Sequence, residues 1–385
     1  MNFSIYSVYL FATILLILID VNSRNVQTKK IIFVFVFLAL VLFIGFRYEI
    51  GLDWVFYSHL YEGQTFSLAI EPGFMLLASV FSTFASYWVF QSFITAFTII
   101  SLSSFCKNFT RNYCACILIF FVYQFGLNSE ALRQLIALAI VLIAYTKYLF
   151  GSKRSSYVMV FIASTFHISA MICILPLLLL NRRSFGVLRT FTSIGLILSI
   201  LGIYPIQSIL TILQSFSGNG YISKILWYGS ENNIGSIFTV SLLFKIAVTI
   251  FFEIRFKNHL TNLTELELLK IKLLRVSLYL LVLIDIYLGQ YGTISTRLNV
   301  YMIPSLVIAI VLILEQFKVG ISKLLVTLLF LIYFFFNFQN FTSNYYFENF
   351  YLPYRNYLEK IFGYEQKNNK EAEVEFYLNN KDVLQ

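Results

Sequence analysis

The sequence predicts an all-α, polytopic integral membrane protein, and three observations carry that prediction. Of 385 residues, 59% are hydrophobic and only 12% charged, against about 25% charged in soluble domains. Apolar runs close to the ~20 residues that cross a bilayer as a helix recur along most of the chain. Alternating strand patterns are absent. Lipid offers no partners for backbone polar groups, so helices are the spanning elements that remain.

Taken in order, ten spans are expected at 3–20, 31–46, 88–105, 113–127, 131–149, 186–203, 236–254, 273–289, 298–315 and 324–338. The first lacks a basic leading region and a small-residue cleavage site, so it is read as a retained span rather than a signal peptide. Two further apolar stretches, 71–86 and 157–181, are expected to re-enter or tilt. Crossing singly at 157–181 would put Arg182 and Arg183 outside, against the excess of Lys and Arg in cytoplasmic loops. That rule places Lys29, Lys30, Lys107, Arg111, Lys153, Arg154, Lys318 and Lys323 inside, and both termini outside. Pro72 suits the first turn of a helix. The stretch 157–181 breaks near Thr165-Phe166-His167. Asn128 or Ser129 is the expected N-cap of the helix carrying Arg133. Residues 1–338 form one transmembrane domain in this reading. Residues 339–385 form an aromatic and charged tail outside, whose 344–364 part reads as a surface or interfacial helix.

Four cysteines (Cys106, Cys114, Cys116, Cys173) lie in or beside apolar runs, with no CxxC spacing and no Cys/His cluster. They read as small core residues, and no metal or cofactor is expected. A net charge of +9 reflects cytoplasmic loops rather than a nucleic-acid partner.

The expected outer loops collect a polar set. The stretch FRYEIGLDWVFYSHLYEG supplies Arg47, Glu49, Asp53, Trp54, Tyr57, His59 and Tyr61. EPGF supplies Glu71, LRQL supplies Arg133 and Gln134, the 165–167 break supplies His167, and Arg297 opens a late span. Arginines gathered outside, against the positive-inside bias, point to an anion such as pyrophosphate. Within the membrane, Lys245 and Asp285 are expected to pair.

FRYEIGLDWVFY, EPGF, LRQLIALAI, STFHISA followed by LP, and TRLNVYM, in that order, resemble the EpsG-like family of Wzy-type polysaccharide polymerases over roughly residues 30–310. The resemblance implies a membrane glycosyltransferase that joins oligosaccharide repeat units carried on undecaprenyl pyrophosphate, at the outer face of the bacterial cytoplasmic membrane. It carries Arg47, Gly51, Asp53 and Tyr57, then Glu71 and Gly73, then Arg133 and Gln134, then His167, then Arg297. In this reading Arg47, Arg133 and Arg297 clamp the pyrophosphate. Asp53 is the first choice of general base and His167 the second. Trp54, Tyr57 and Tyr61 face sugar rings. Arginines carry the charge a metal would carry. The acidic first loop resembles the GT-C class of membrane glycosyltransferases. The expected partners are the lipid-linked oligosaccharide, membrane lipid and a chain-length regulator protein. The competing readings are a flippase of lipid-linked oligosaccharide and a membrane O-acyltransferase of surface glycan.

Overall fold

A computed structural model describes residues 5–23, 25–63, 70–206, 208–209, 212, 238–257, 263–318, 320–363 and 370–374. Most of the expected 204–235 loop and of the far tail lies outside these. The described residues form helices and turns, joined by a single isolated β-bridge between Arg47 and Asn356.

In chain order the helices are α1 (Ile5–Asn22), α2 (Val26–Leu40), α3 (Asp53–Tyr61), α4 (Pro72–Ser82), α5 (Tyr87–Cys106), α6 (Tyr113–Tyr123), α7 (Phe125–Glu130), α8 (Leu132–Leu149), α9 (Lys153–Ser164), α10 (Ile174–Leu178), α11 (Arg182–Ile200), α12 (Val240–Lys257), α13 (Glu265–Leu288), α14 (Gly292–Asn299), α15 (Ile303–Glu315), α16 (Ile321–Thr342), α17 (Tyr345–Phe350) and α18 (Tyr357–Ile361). A π-turn, Val41–Gly45, continues α2, and a 3₁₀ turn, Ile168–Cys173, precedes α10.

Backbone contacts divide the chain into two compact units. One comprises Met1–Leu142, Ile162–Ile168 and Leu314–Gln385; the other comprises Ile143–Phe161 and Ser169–Ile313. In the first, every residue of α6 is buried, and α6 touches α1, α2, α5 and α16. The partner helices show why. In α1 the buried residues Tyr6, Leu10, Thr13, Ile17 and Asp20 recur every three or four positions, which is one helix face. The opposite face keeps Val8, Phe11 and Leu15 more than half exposed, as lipid-facing apolar residues are. In the second unit α13 is the hub, touching α10, α11, α12 and α14. A capping box at Thr264 and Glu267 opens α13.

Among the described residues, five helical stretches are long and apolar enough to cross a membrane: Ile5–Asn22, Val26–Gly45, Tyr87–Cys106, Leu132–Leu149 and Ile321–Thr342. A sixth arises if α14 and α15, bent by 60°, count as one broken span. The remaining expected spans are either short, as at Tyr113–Tyr123 and Ser184–Ile200, or charged. Thus α12 carries Lys245, Glu253, Arg255 and Lys257. Lys245 meets Asp285 of α13 at 2.5 Å, the expected pair. Asn299 also donates to the Asp285 carboxylate. Glu253 accepts from Arg275 at 2.6 Å and from Arg189 at 2.8 Å.

Three local expectations need revision or gain detail. The helix carrying Arg133 begins at Leu132, not at Asn128 or Ser129. Those two lie inside α7, where Ser129 Oγ bonds back to the Phe125 carbonyl, and Ala131 breaks the helix with ψ at 65°. The 344–364 segment is not one surface helix. It folds as α17 and α18, because Phe347, Phe350 and Tyr351 are buried and tie it inward. The break near 165–167 is present: α9 ends at Ser164, and Thr165 to His167 are non-helical.

The long helices of the first unit join two polar levels. At one level Tyr6 donates to the Tyr351 carbonyl, Tyr354 to that of Phe43, and Gln91 to that of Gly45. At the other, Lys29 donates to the Asp20 carbonyl and Lys323 to that of Val21. Lys107 lies over the Phe33 ring. The 18 residues of α1 separate these levels by about 27 Å at 1.5 Å per residue, near the ~30 Å of a bilayer's hydrocarbon core.

Candidate functional site

The expected site residues of the first unit gather at the level away from the basic loops. Pro72 opens α4, with Glu71 as its N-cap residue. The Glu71 carboxylate receives Arg133 Nη1 at 2.6 Å, and Arg133 Nε donates to the Tyr57 hydroxyl at 3.2 Å. The guanidinium also lies over the Tyr57 ring, 5.7 Å from its centre. These bonds use two of five N–H donors. The Arg133 side chain stays 23% exposed, so the rest of the fork can meet an anion.

Gly73 brings the His167 segment to this pair. Its N–H donates to the Thr165 carbonyl at 2.8 Å. A Cβ on Gly73 would fall 2.4 Å from Thr165 Oγ1 and 2.9 Å from the Thr165 carbonyl oxygen, so only glycine permits the approach. Two stretches more than 90 residues apart in sequence thereby share one corner. His167 is half-buried there.

A second cluster adjoins the first through α3. Asp53 is the first residue of α3, and Tyr57 lies one turn on. Just ahead, Gly51 has φ of +85°, and a Cβ there would lie 2.8 Å from the Glu130 side chain. Glu130, the last residue of α7, accepts from Tyr346 at 2.6 and 2.7 Å and also from Tyr351. Burial, reinforced by the negative charge of Asp53, pushes the Glu130 carboxyl up to about 7. Burial and the Glu130 charge push both tyrosines up, so they stay protonated donors.

Arg47 sits under this cluster, 3% exposed. It donates to the Ile44 carbonyl at 2.6 Å. Among the described residues its Nε has no acceptor. Burial lowers its pKa, while Tyr87, Tyr351 and Glu130 act the other way. The tail holds this segment in place: Tyr48 N–H donates to the Arg355 carbonyl and Gly51 N–H to that of Phe350. Arg355 meets Glu49 at 2.7 Å, and Glu49 adopts the left-handed region with φ of +53°.

The remaining expected residues have other settings. Trp54 is 6% exposed and lies against Trp88. Tyr57 is buried and engaged by Arg133. Tyr61 donates to the Ala85 carbonyl. Gln134 is buried on α8, one residue after Arg133. His59 meets Glu371 of the tail at 2.7 Å. Arg297 is an exposed residue of α14, within the second unit. No cluster of three metal-ligating side chains occurs among the described residues.

Glu130, Tyr346 and Tyr351 are absent from the sequence-based set. Their signal was thin: one acid at the edge of an apolar run, and two tyrosines in an aromatic-rich tail. Nothing in spacing links residue 130 to residue 351.

The family model described as EpsG family matches residues 30–356, and the chain belongs to that family. The match extends past residue 310 and so takes in Tyr346, Tyr351 and Arg355. No curated protein and no solved structure matches the chain.

Proposed function

We propose that this member of the EpsG family polymerises oligosaccharide repeat units carried on undecaprenyl pyrophosphate, by glycosyl transfer at the outer face of the bacterial cytoplasmic membrane. The observation that carries the reading is the Glu71–Arg133–Tyr57 cluster beside Asp53 and Glu130. It lies at the opposite helix ends from Lys29, Lys107 and Lys323. By the positive-inside rule the basic ends face the cytoplasm, so the cluster faces out. Ten crossings, with 71–86 and 157–181 re-entering, complete this topology.

In the reaction, an acceptor hydroxyl oxygen attacks the anomeric carbon of the donor glycan. The bond from that carbon to the pyrophosphate oxygen breaks, and the lipid pyrophosphate leaves with its charge. Arg133 meets that charge with the N–H groups Glu71 and Tyr57 do not hold. Glu71 keeps the guanidinium oriented and neutralised until an anion arrives. Arg47 supplies positive potential from beneath. Asp53 takes the acceptor proton, with His167 as the second choice. Trp54 and Tyr57 support the site from within, and sugar rings stack on more exposed aromatics. A chain-length regulator is the expected protein partner.

The test is the surface glycan ladder from cells lacking the protein, resupplied with wild type or Arg133→Ala. Single capped units in place of long chains support the reading. A normal ladder at matched expression removes Arg133 from the site. Complete loss of surface units points to a flippase. Unchanged length with altered decoration points to an acyltransferase.

A further inference from the structure

The other polar level of the first unit holds a cleft of about 680 Å³, bordered by the ends of α1 and α5, the loop after α5 and the stretch before α16. Its floor is a closed network. Lys29 Nζ bonds Asp20 and Asn112. Thr110 and Asn112 both donate to Glu315, and Lys323 donates to the Val21 carbonyl. Lys29, Lys323, Thr110, Asn112 and Asp20 are each at least nine-tenths buried. Two lysines stand against two carboxylates, so the floor is formally neutral and rigid.

The rim differs. Lys107, Arg111 and Lys318 line the same cleft, are exposed, and form no ion pair with a carboxylate among the described residues. Lys107 is steadied over the Phe33 and Tyr113 rings at 4.9 and 4.5 Å, which fixes its charge at the mouth. Three cations therefore converge over a neutral floor of hydroxyl and amide groups. The cleft also lies where the apolar helices α1, α5 and α16 end, the depth of lipid headgroups.

We infer that this cleft binds a phosphate-bearing anion, gripped by Lys107, Arg111 and Lys318. The planar Arg111 fork suits two phosphate oxygens, while the lysines act as point charges. Either an anionic lipid headgroup or soluble phosphate supplies this chemistry, and depth in the membrane favours the headgroup. The site is separate from the glycosyl-transfer cluster and does not depend on that reading.

The test uses the full chain in detergent micelles. Binding of short-chain phosphatidylglycerol, phosphatidylcholine and inorganic phosphate is followed by thermal shift. Wild type is compared with the Lys107→Ala/Arg111→Ala/Lys318→Ala triple variant, both also in an Arg133→Ala background, so that phosphate held at the other level is not counted. Each basic residue near a charged surface contributes about a factor of five, so the triple variant should bind phosphatidylglycerol roughly a hundredfold more weakly. Lys318→Glu alone, at an exposed position, gives the same direction if the triple variant fails to fold. Stronger binding of phosphatidylglycerol than of phosphatidylcholine, competed by millimolar phosphate only weakly, identifies the headgroup. Equal protection by inorganic phosphate identifies the soluble ion. Undiminished phosphatidylglycerol binding by the variants, or equal binding of phosphatidylcholine, overturns the inference.

Discussion

Gly51 and Glu130 fix the site's inner corner at the scale of single atoms. Gly51→Ala would force a side chain into φ of +85° and place its Cβ 2.8 Å from a carboxyl already held by two phenols. The expected cost is about 2 kcal/mol, read as a lower melting temperature of the purified protein. An unchanged melt would show that Glu130 moves freely. Glu130 itself makes stability pH-dependent. Its folded value near 7 lies above the ordinary 4.5, so the fold favours the neutral form. Its contribution is complete below pH 4.5 and is lost as pH rises through 7. The groups facing it are Asp53, Arg47, Tyr346 and Tyr351. Wild type should therefore lose on the order of 2 kcal/mol more than Glu130→Gln between pH 5 and 8. Parallel pH profiles for the two proteins would sink this assignment.

Elements carry the next level, and the Gly73–Thr165 approach is the clearest case. Gly73→Ala should part α4 from the turn holding His167, because the new Cβ meets both Thr165 Oγ1 and its carbonyl oxygen. Long-chain glycan should fall at least tenfold with the protein still in the membrane, since neither α4 nor the turn is among the long apolar spans. Adding Thr165→Ala removes only the hydroxyl clash, so rescue should be partial; full rescue would mean the backbone approach is unimportant. At this scale the sequence was informative where the signal is local. Apolar length gave the long helices, Pro72 gave the start of α4, and the Thr165-Phe166-His167 stretch gave the break. Arg133 and Glu71 were legible as charges, but not as a bonded pair, because pairing across 62 residues has no period. The helix start at Leu132 was missed because Asn128 and Ser129 look like caps until Ala131 breaks the chain. The reading of 344–364 as one surface helix failed because buried aromatics and lipid-facing aromatics have the same composition.

At the scale of the whole molecule, one helix decides the orientation. The 22 residues of α16 span about 33 Å at 1.5 Å per residue, enough to cross the hydrocarbon core. Lys318 precedes it at the basic level, and Tyr345 follows it at the level of Glu130. Both positions are exposed, and the four native cysteines are buried. Single substitutions Lys318→Cys and Tyr345→Cys therefore report on the two levels without a large background from native thiols. A membrane-impermeant maleimide applied to intact cells should label Tyr345→Cys and spare Lys318→Cys until the cells are opened. Labelling in the reverse order would place the Arg133 cluster in the cytoplasm. It would then sit on the inner side, and the proposed transfer at the outer face would be overturned. Labelling of both from one side would mean α16 does not cross, and the two polar levels would then share a face. The expected order would mean that the basic residues are retained inside and set the orientation of the bundle. In that orientation Arg47, Asp53, Glu71 and Arg133 would face outward as a group. That placement would give these four charged residues, scattered in the sequence, the common chemistry proposed for them.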